Sequence, residues 1–216
     1  MGVTGTMSNH CKYQVAAKQI DLSADTIKVL LMRDGFVFNR DNHAMKKNIK
    51  TNSGAISLTF VSATKKITRG SGSFVTDGFV IGNKITTDAT LNPGPFTIAN
   101  VSALEITVTE AVADEGPVTK TVTSDDELTT GSGYTQDSKT LAGKVLTEDD
   151  TNDRAEMSAD DVQWPASGGT IGPTPGALLY DDTTTDDTII GYLDFGGNQS
   201  AASGANFTIS TIRVRI

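Results

Sequence analysis

One cysteine, Cys11, stands in a chain of 216 residues, so no internal disulfide can staple the fold. That usage fits folding in a reducing compartment and leaves open an intermolecular bridge through Cys11. Histidine is nearly as scarce, with His10 and His43 alone, a donor set too small for a Cys/His metal centre. The longest aliphatic or Met run is Val29–Met32, far short of the ~20 residues of a spanning helix. The first 20 residues carry no long apolar stretch of the secretory kind, so no membrane partner is expected. Positive charge is the minority, 18 Lys and Arg against 26 Asp and Glu for a net charge of −8. That balance argues against a nucleic-acid partner.

What is abundant is threonine, 31 residues, and glycine, 21 residues. Thr is β-branched and suits a half-exposed pleated surface, while Gly suits turns, so the composition points to strands and loops. The charge is unevenly placed: residues 1–50 carry a net +4, residues 51–120 a net −1 and residues 121–216 a net −11. A basic N-terminal part and an acidic C-terminal part suit docking on a charged partner surface.

Residues 1–11 are small and polar and read as an N-terminal arm, held in place by a partner if it is ordered. Residues 12–20 read as a short helix, residues 26–32 as a buried strand, and Asp41–Ile49 as a second short helix capped by Asp41 or Asn42. From about residue 54 the texture changes. Ile56, Leu58 and Phe60 alternate with polar residues, and short apolar stretches follow between turn signals such as Asp77-Gly78, Gly82-Asn83 and Asn92-Pro93-Gly94-Pro95. The segment 53–122 therefore reads as an inserted β domain, a small barrel or sandwich. Residues 123–143 are loop-like, and strands resume to the C-terminus. The expected fold is all-β: a sandwich or jelly-roll-like base from 12–52 and 123–216, the insertion, and one or two short helices near the N-terminus.

No catalytic constellation stands out. There is no G-x-S-x-G elbow, His43 lies among polar and basic residues and reads as a helix-surface or interface residue, and Cys11 has no positioned base. The Gly clusters at 70–72 and 131–133 do not match a phosphate-binding loop and read as turns. Carboxylates cluster at Glu148–Asp153, Asp160-Asp161 and Asp181–Asp187. Asp149, Asp153, Asp181 and Asp186 are weak Ca²⁺ candidates, but the stretch from Asp149 lacks the Gly and distal Glu of an EF-hand loop. Turn chemistry explains most of these acids. Trp164, the single tryptophan, reads as a core anchor at a strand end. No cofactor is implied, and no enzymatic activity is expected.

Several strings resemble a group of uncharacterised tailed-bacteriophage structural proteins: Asp21–Met32; Gly131–Thr135 with Thr140–Gly143; Asp153–Trp164; and Gly176–Thr183 with Ile189–Gly197 and Gly204–Ile209. Order and spacing agree over roughly residues 20–50 and 131–210, whereas shorter members lack 53–122. That segment, with Ile67-Thr68-Arg69, Gly72-Ser73-Phe74 and Asp77-Gly78-Phe79, is similar to a small β module of phage virion proteins.

The resemblance implies a virion component assembled in the bacterial host cytoplasm. The reading is a capsid decoration (cement) protein. Its partners would be the major capsid protein, further copies of itself in a homo-oligomer taken as a trimer, and host surface glycans at the insertion. Met1, Val3, Met7, His10, Lys46, Lys47 and Lys50 are the expected partner contacts. Two alternatives stay open in the sequence: a tail or neck subunit, and a carbohydrate-binding or carbohydrate-active module using the acidic loops.

Overall fold

The computed structural model describes residues 2–216. In chain order the elements begin with β1 (Gly2–Met7), α1 (Asn9–Ala16), β2 (Ile27–Leu31), β3 (Lys50–Asn52), β4 (Ile56–Val61), β5 (Lys66–Arg69) and α2 (Phe74–Asp77). They continue with β6 (Lys84–Thr87), β7 (Phe96–Val101), β8 (Glu105–Val108), β9 (Glu115–Lys120) and β10 (Val122–Asp125). The last are β11 (Lys139–Thr140), β12 (Val145–Asp149), β13 (Arg154–Ala159), β14 (Val162–Pro165), β15 (Ile171–Asp181), β16 (Ile189–Ala201) and β17 (Asn206–Arg215). The fold is all-β and sandwich-like, as the Thr and Gly content implies. The chain divides into a base, Met1–Lys46 with Glu127–Ile216, and an inserted unit, Lys47–Asp126. The inserted unit is longer at both ends than 53–122 because β3 and β10 pair with each other inside it, Ser124 opposite Thr51.

In the base, strands run in the order β11-β2-β15-β16-β1-β17-β13-β12, with β14 also pairing to β17. The long strands β15 and β17 carry bulges, which bend a strand and let one sheet wrap over a core. That core gathers Leu31, Trp164, Leu179, Leu193, Ile209 and Val214. Each such side chain contributes roughly 1.5–3 kcal/mol on burial.

The N-terminal residues depart from the arm expected of them. β1 is an internal strand, antiparallel to β16 with Gly5 opposite Leu193 and parallel to β17 with Val3 opposite Ile212. Its small and polar composition hides this, although Val3 and Met7 enter the core. Close approach needs Gly191, where a Cβ would lie 2.5 Å from the Thr6 carbonyl oxygen. Ser8 then starts α1, its backbone N–H donating to Ile190 O and its hydroxyl accepting from Cys11 N at 3.0 Å.

The helix expected over 41–49 does not form; only a 3-10 turn, Lys46–Asn48, is present. Asn39 takes the N–H groups of Asp41 and Asn42 on its side-chain oxygen. Ala44 O accepts from Ile189 N, and Lys46 N donates to Asp187 O. Strand-like pairing with distant residues outcompetes the local helix.

The inserted unit orders its strands β3-β10-β6-β7-β8-β5-β4-β9. Leu58 and Phe60 alternate into its core and meet Ile67, Phe74, Phe79 and Ile98. α2 is capped by the Ser73 hydroxyl, which accepts from Thr76 N at 3.1 Å, and ends at Gly78 with φ 109°. Gly78 is required there, since a Cβ would lie 2.7 Å from Lys47 O. Buried Asn83 ties the two ends of the unit, its amide donating to Asn48 O at 2.9 Å and Asp126 Oδ2 at 2.7 Å.

Candidate interaction surface

The expected partner contacts fall into four kinds. Met1 lies outside the described residues. Val3 and Met7 are buried in the base core, a correction to their expected role at a partner surface. His10 is half-buried, with Nε2 3.1 Å from Asp186 Oδ2 and 3.2 Å from the Gln14 amide. Lys46 is likewise engaged inside the base. Its Nζ lies 2.8 Å from Asp137 Oδ2 and from the Tyr180 hydroxyl, and 4.4 Å above the Tyr180 ring. Lys47 and Lys50 are exposed on the inserted unit. Lys47 donates to Thr76 O at 3.2 Å, and Lys50 lies 2.9 Å from Asp125.

The Lys46 contacts belong to a polar cluster that sequence reading misses. Lys28 Nζ lies 3.3 Å from Asp182 and 3.8 Å from Asp137, and the Tyr180 hydroxyl donates to both acids. Burial alone would raise the Asp137 carboxyl, but the bonds from Lys46 and Tyr180 hold it below the usual range. Burial, then the Asp137 bond, pushes the Tyr180 hydroxyl well up, so it stays protonated as a donor. The cluster pins β2, β15 and the 137 loop together. The available signals were Lys28 inside an otherwise apolar strand and Tyr180 beside Asp181-Asp182.

The four Ca²⁺ candidates are not brought together. Asp149 pairs with Arg154 at 3.0 Å and accepts from Asn152, the latter bond leading what holds its carboxyl low. Asp153 is exposed with φ 50° in the turn after β12. Asp186 accepts from Thr188 and faces His10; these bonds hold it low against the opposing effect of burial. Asp181 is fully buried, and loss of water first, then the neighbouring Asp25 carboxyl, pushes it up to about 6. Among the described residues no group of three or more His, Cys, Asp or Glu is arranged to hold a metal.

The two residues weighed for catalysis are sequestered. Cys11 is buried, and loss of water, then the nearby Asp181 charge, pushes its thiol up to about 12. It is therefore poorly suited to nucleophilic attack or to an intermolecular disulfide. His43 is not on a helix surface; it is buried, stacked on Phe36 at 5.2 Å and beside Phe38 at 5.7 Å. Its Nδ1 accepts from Asn39 N at 3.1 Å, so the proton sits on Nε2, which has no acceptor. Burial pushes its pKa down to about 4.

Trp164 is buried in the base core against Tyr134 and Phe207. Exposed large apolar side chains remain at Tyr13, Val37, Val145, Leu146 and Ile216 of the base, and at Val75, Ile81, Leu91 and Leu104 of the inserted unit. Compared with family models, with curated proteins and with solved structures, the chain matches none.

Proposed function

We propose that this chain is a non-enzymatic structural protein of a tailed-bacteriophage virion, a decoration protein that binds the major capsid protein and stabilises the head shell. The observation that carries the reading is the division of labour in the chain. One continuous sheet, with the N-terminal strand at its centre, is interrupted once by a separately cored β unit. The sequestering of Cys11 and His43 supports an adhesive rather than a chemical role.

In this reading the base and its further copies lie across neighbouring capsid subunits. A stable contact of this kind buries roughly 1,200–2,000 Å² in all, and binding to the assembled shell stabilises it by mass action. Lys47 and Lys50 are the remaining basic contacts for acidic shell patches, while Val3 and Met7 serve the base core. The rest of the inserted unit, beyond its first residues Lys47 and Lys50, is left for contacts beyond the shell, with host surface glycans the candidate ligand. Co-sedimentation of the purified protein with undecorated heads tests the reading. Saturable binding that weakens with salt and raises the temperature of head disruption is expected; heads that sediment without the protein would overturn it.

A further inference from the structure

The base sheet ends at β12, whose only strand partner among the described residues is β13. Such an edge offers a row of backbone donors and acceptors to any strand that fits. β12 holds no proline and leaves Val145 and Leu146 52% and 46% exposed, so its charges, Glu148 and Asp149, are what select a partner for the edge.

Which backbone groups face outward follows from the pairing. Ile216 N donates to Ala155 O, so Ala155 and Met157 of β13 turn their polar groups towards β17. Arg154, Glu156 and Ser158 then turn theirs towards β12, where they face Asp149, Thr147 and Val145. The outward groups of β12 are those of Leu146 and Glu148, and the next even position is Lys144.

We infer that the outer edge of β12 is a self-association surface, where a second copy of this chain adds its own β12 antiparallel about a two-fold axis through Leu146. Directly opposed residues in an antiparallel pair must share the outward or the inward set. With Leu146 opposite Leu146 of the second copy, Lys144 falls opposite Glu148, and by symmetry Glu148 opposite Lys144. Val145 falls opposite Thr147. The Lys144–Glu148 pair therefore forms twice across the axis, on the same face as the two leucines, while Asp149, opposite Gly143, keeps Arg154 of its own chain as partner. Sliding the register by two residues one way sets Leu146 against Glu148; sliding it the other way sets Lys144 against Leu146.

Glu148 makes no ion pair among the described residues, and Lys144 uses one of its three donors on Asp25 O. On that face an open cleft of about 460 Å³ joins apolar Val15 and Ile216 to polar Lys18, Asp21 and Asp25 beside Leu146. The inference stands apart from the virion reading, since head binding is measured separately from association of the free chain.

Sedimentation equilibrium of the full chain tests it with a charge-swap cycle. Glu148→Lys and Lys144→Glu should each weaken dimerisation about tenfold or more, because two attractive contacts become repulsive, and the double swap should restore it. Circular dichroism and melting of each variant confirm the fold. A second test is Leu146→Cys. A hydrogen-bonded antiparallel pair sets Cα atoms about 5.5 Å apart, within disulfide range, so mild oxidation should cross-link this variant and not Thr147→Cys. A chain that stays monomeric at millimolar concentration, or a dimer indifferent to the charge swaps, would overturn the inference.

Discussion

The backbone N–H of Thr211 donates to the side chain of Asp161, 3.3 Å from Oδ1. Thr211 has φ 55° and sits at a bulge in β17, where Gly2 faces Ser210 and Val3 faces Ile212. The extra residue shifts the alternation by one. Phe207 and Ile209 before it, and Ile212 and Val214 after it, all reach the same core. Asp161 satisfies the N–H that the bulge removes from the ladder.

A β-branched residue in the left-handed region is strained by roughly 1–2 kcal/mol. Thr211→Gly should therefore stabilise the base by about 1 kcal/mol, and Asp161→Ala should destabilise it by about 1 kcal/mol. Urea unfolding of both variants checks the pair.

The same strand shows why part of the fold is legible in the sequence and part is not. Alternation in residues 56–60 and the apolar run in 27–31 mark β4 and β2, since side-chain period and burial are local properties of a strand. The all-β class follows from such patterns with the Thr and Gly content. The bulge at Thr211 is not visible, because a non-glycine residue at positive φ leaves no composition signal. The strand role of residues 2–7 and the loss of the helix over 41–49 depend on partners nearly 150 or more residues away, such as Leu193 and Ile189. The Lys28–Lys46–Asp137–Tyr180 cluster is hidden for the same reason: its members meet only once β2 and β15 have paired.

His43 and Asp181 give the base two opposed pH dependences. Folded His43 refuses its proton down to about pH 4, whereas an unfolded His takes one near 6.5. Through that window the unfolded state binds more protons, so stability falls as pH falls, by about 3 kcal/mol in full. Asp181, raised from 3.8 to about 6, keeps a proton that the unfolded chain has released. Its contribution is present at low pH and is lost as pH rises through 6. Asp181→Asn should steepen the acid loss of stability, and His43→Gln should leave a stability that declines from pH 4 to pH 6. Unfolding free energies across pH 4–7 check both slopes.

Trp164 packs against Tyr134 at 5.7 Å and Phe207 at 6.2 Å, and its indole N–H has no acceptor. Trp164→Ala should cost about 3–5 kcal/mol. Trp164→Phe should cost clearly less, since no hydrogen bond is lost with the indole. Denaturation midpoints of the two variants separate ring volume from polar contact.

Asn83 accepts from Val80 N at 2.8 Å while its amide bridges Asn48 and Asp126. Asn83→Ala should destabilise the inserted unit by about 2–4 kcal/mol, because buried partners lose their bonds. Hydrogen exchange should locate the loss at 48–50 and 122–126, leaving the protection of β15 and β16 in the base unchanged.

Quantitative mass spectrometry of purified virions, read as copies of this chain per major capsid subunit, decides whether the protein decorates the head. Hundreds of copies in a simple ratio to the capsid subunit are the expected result. A few copies per particle, or none, would contradict it.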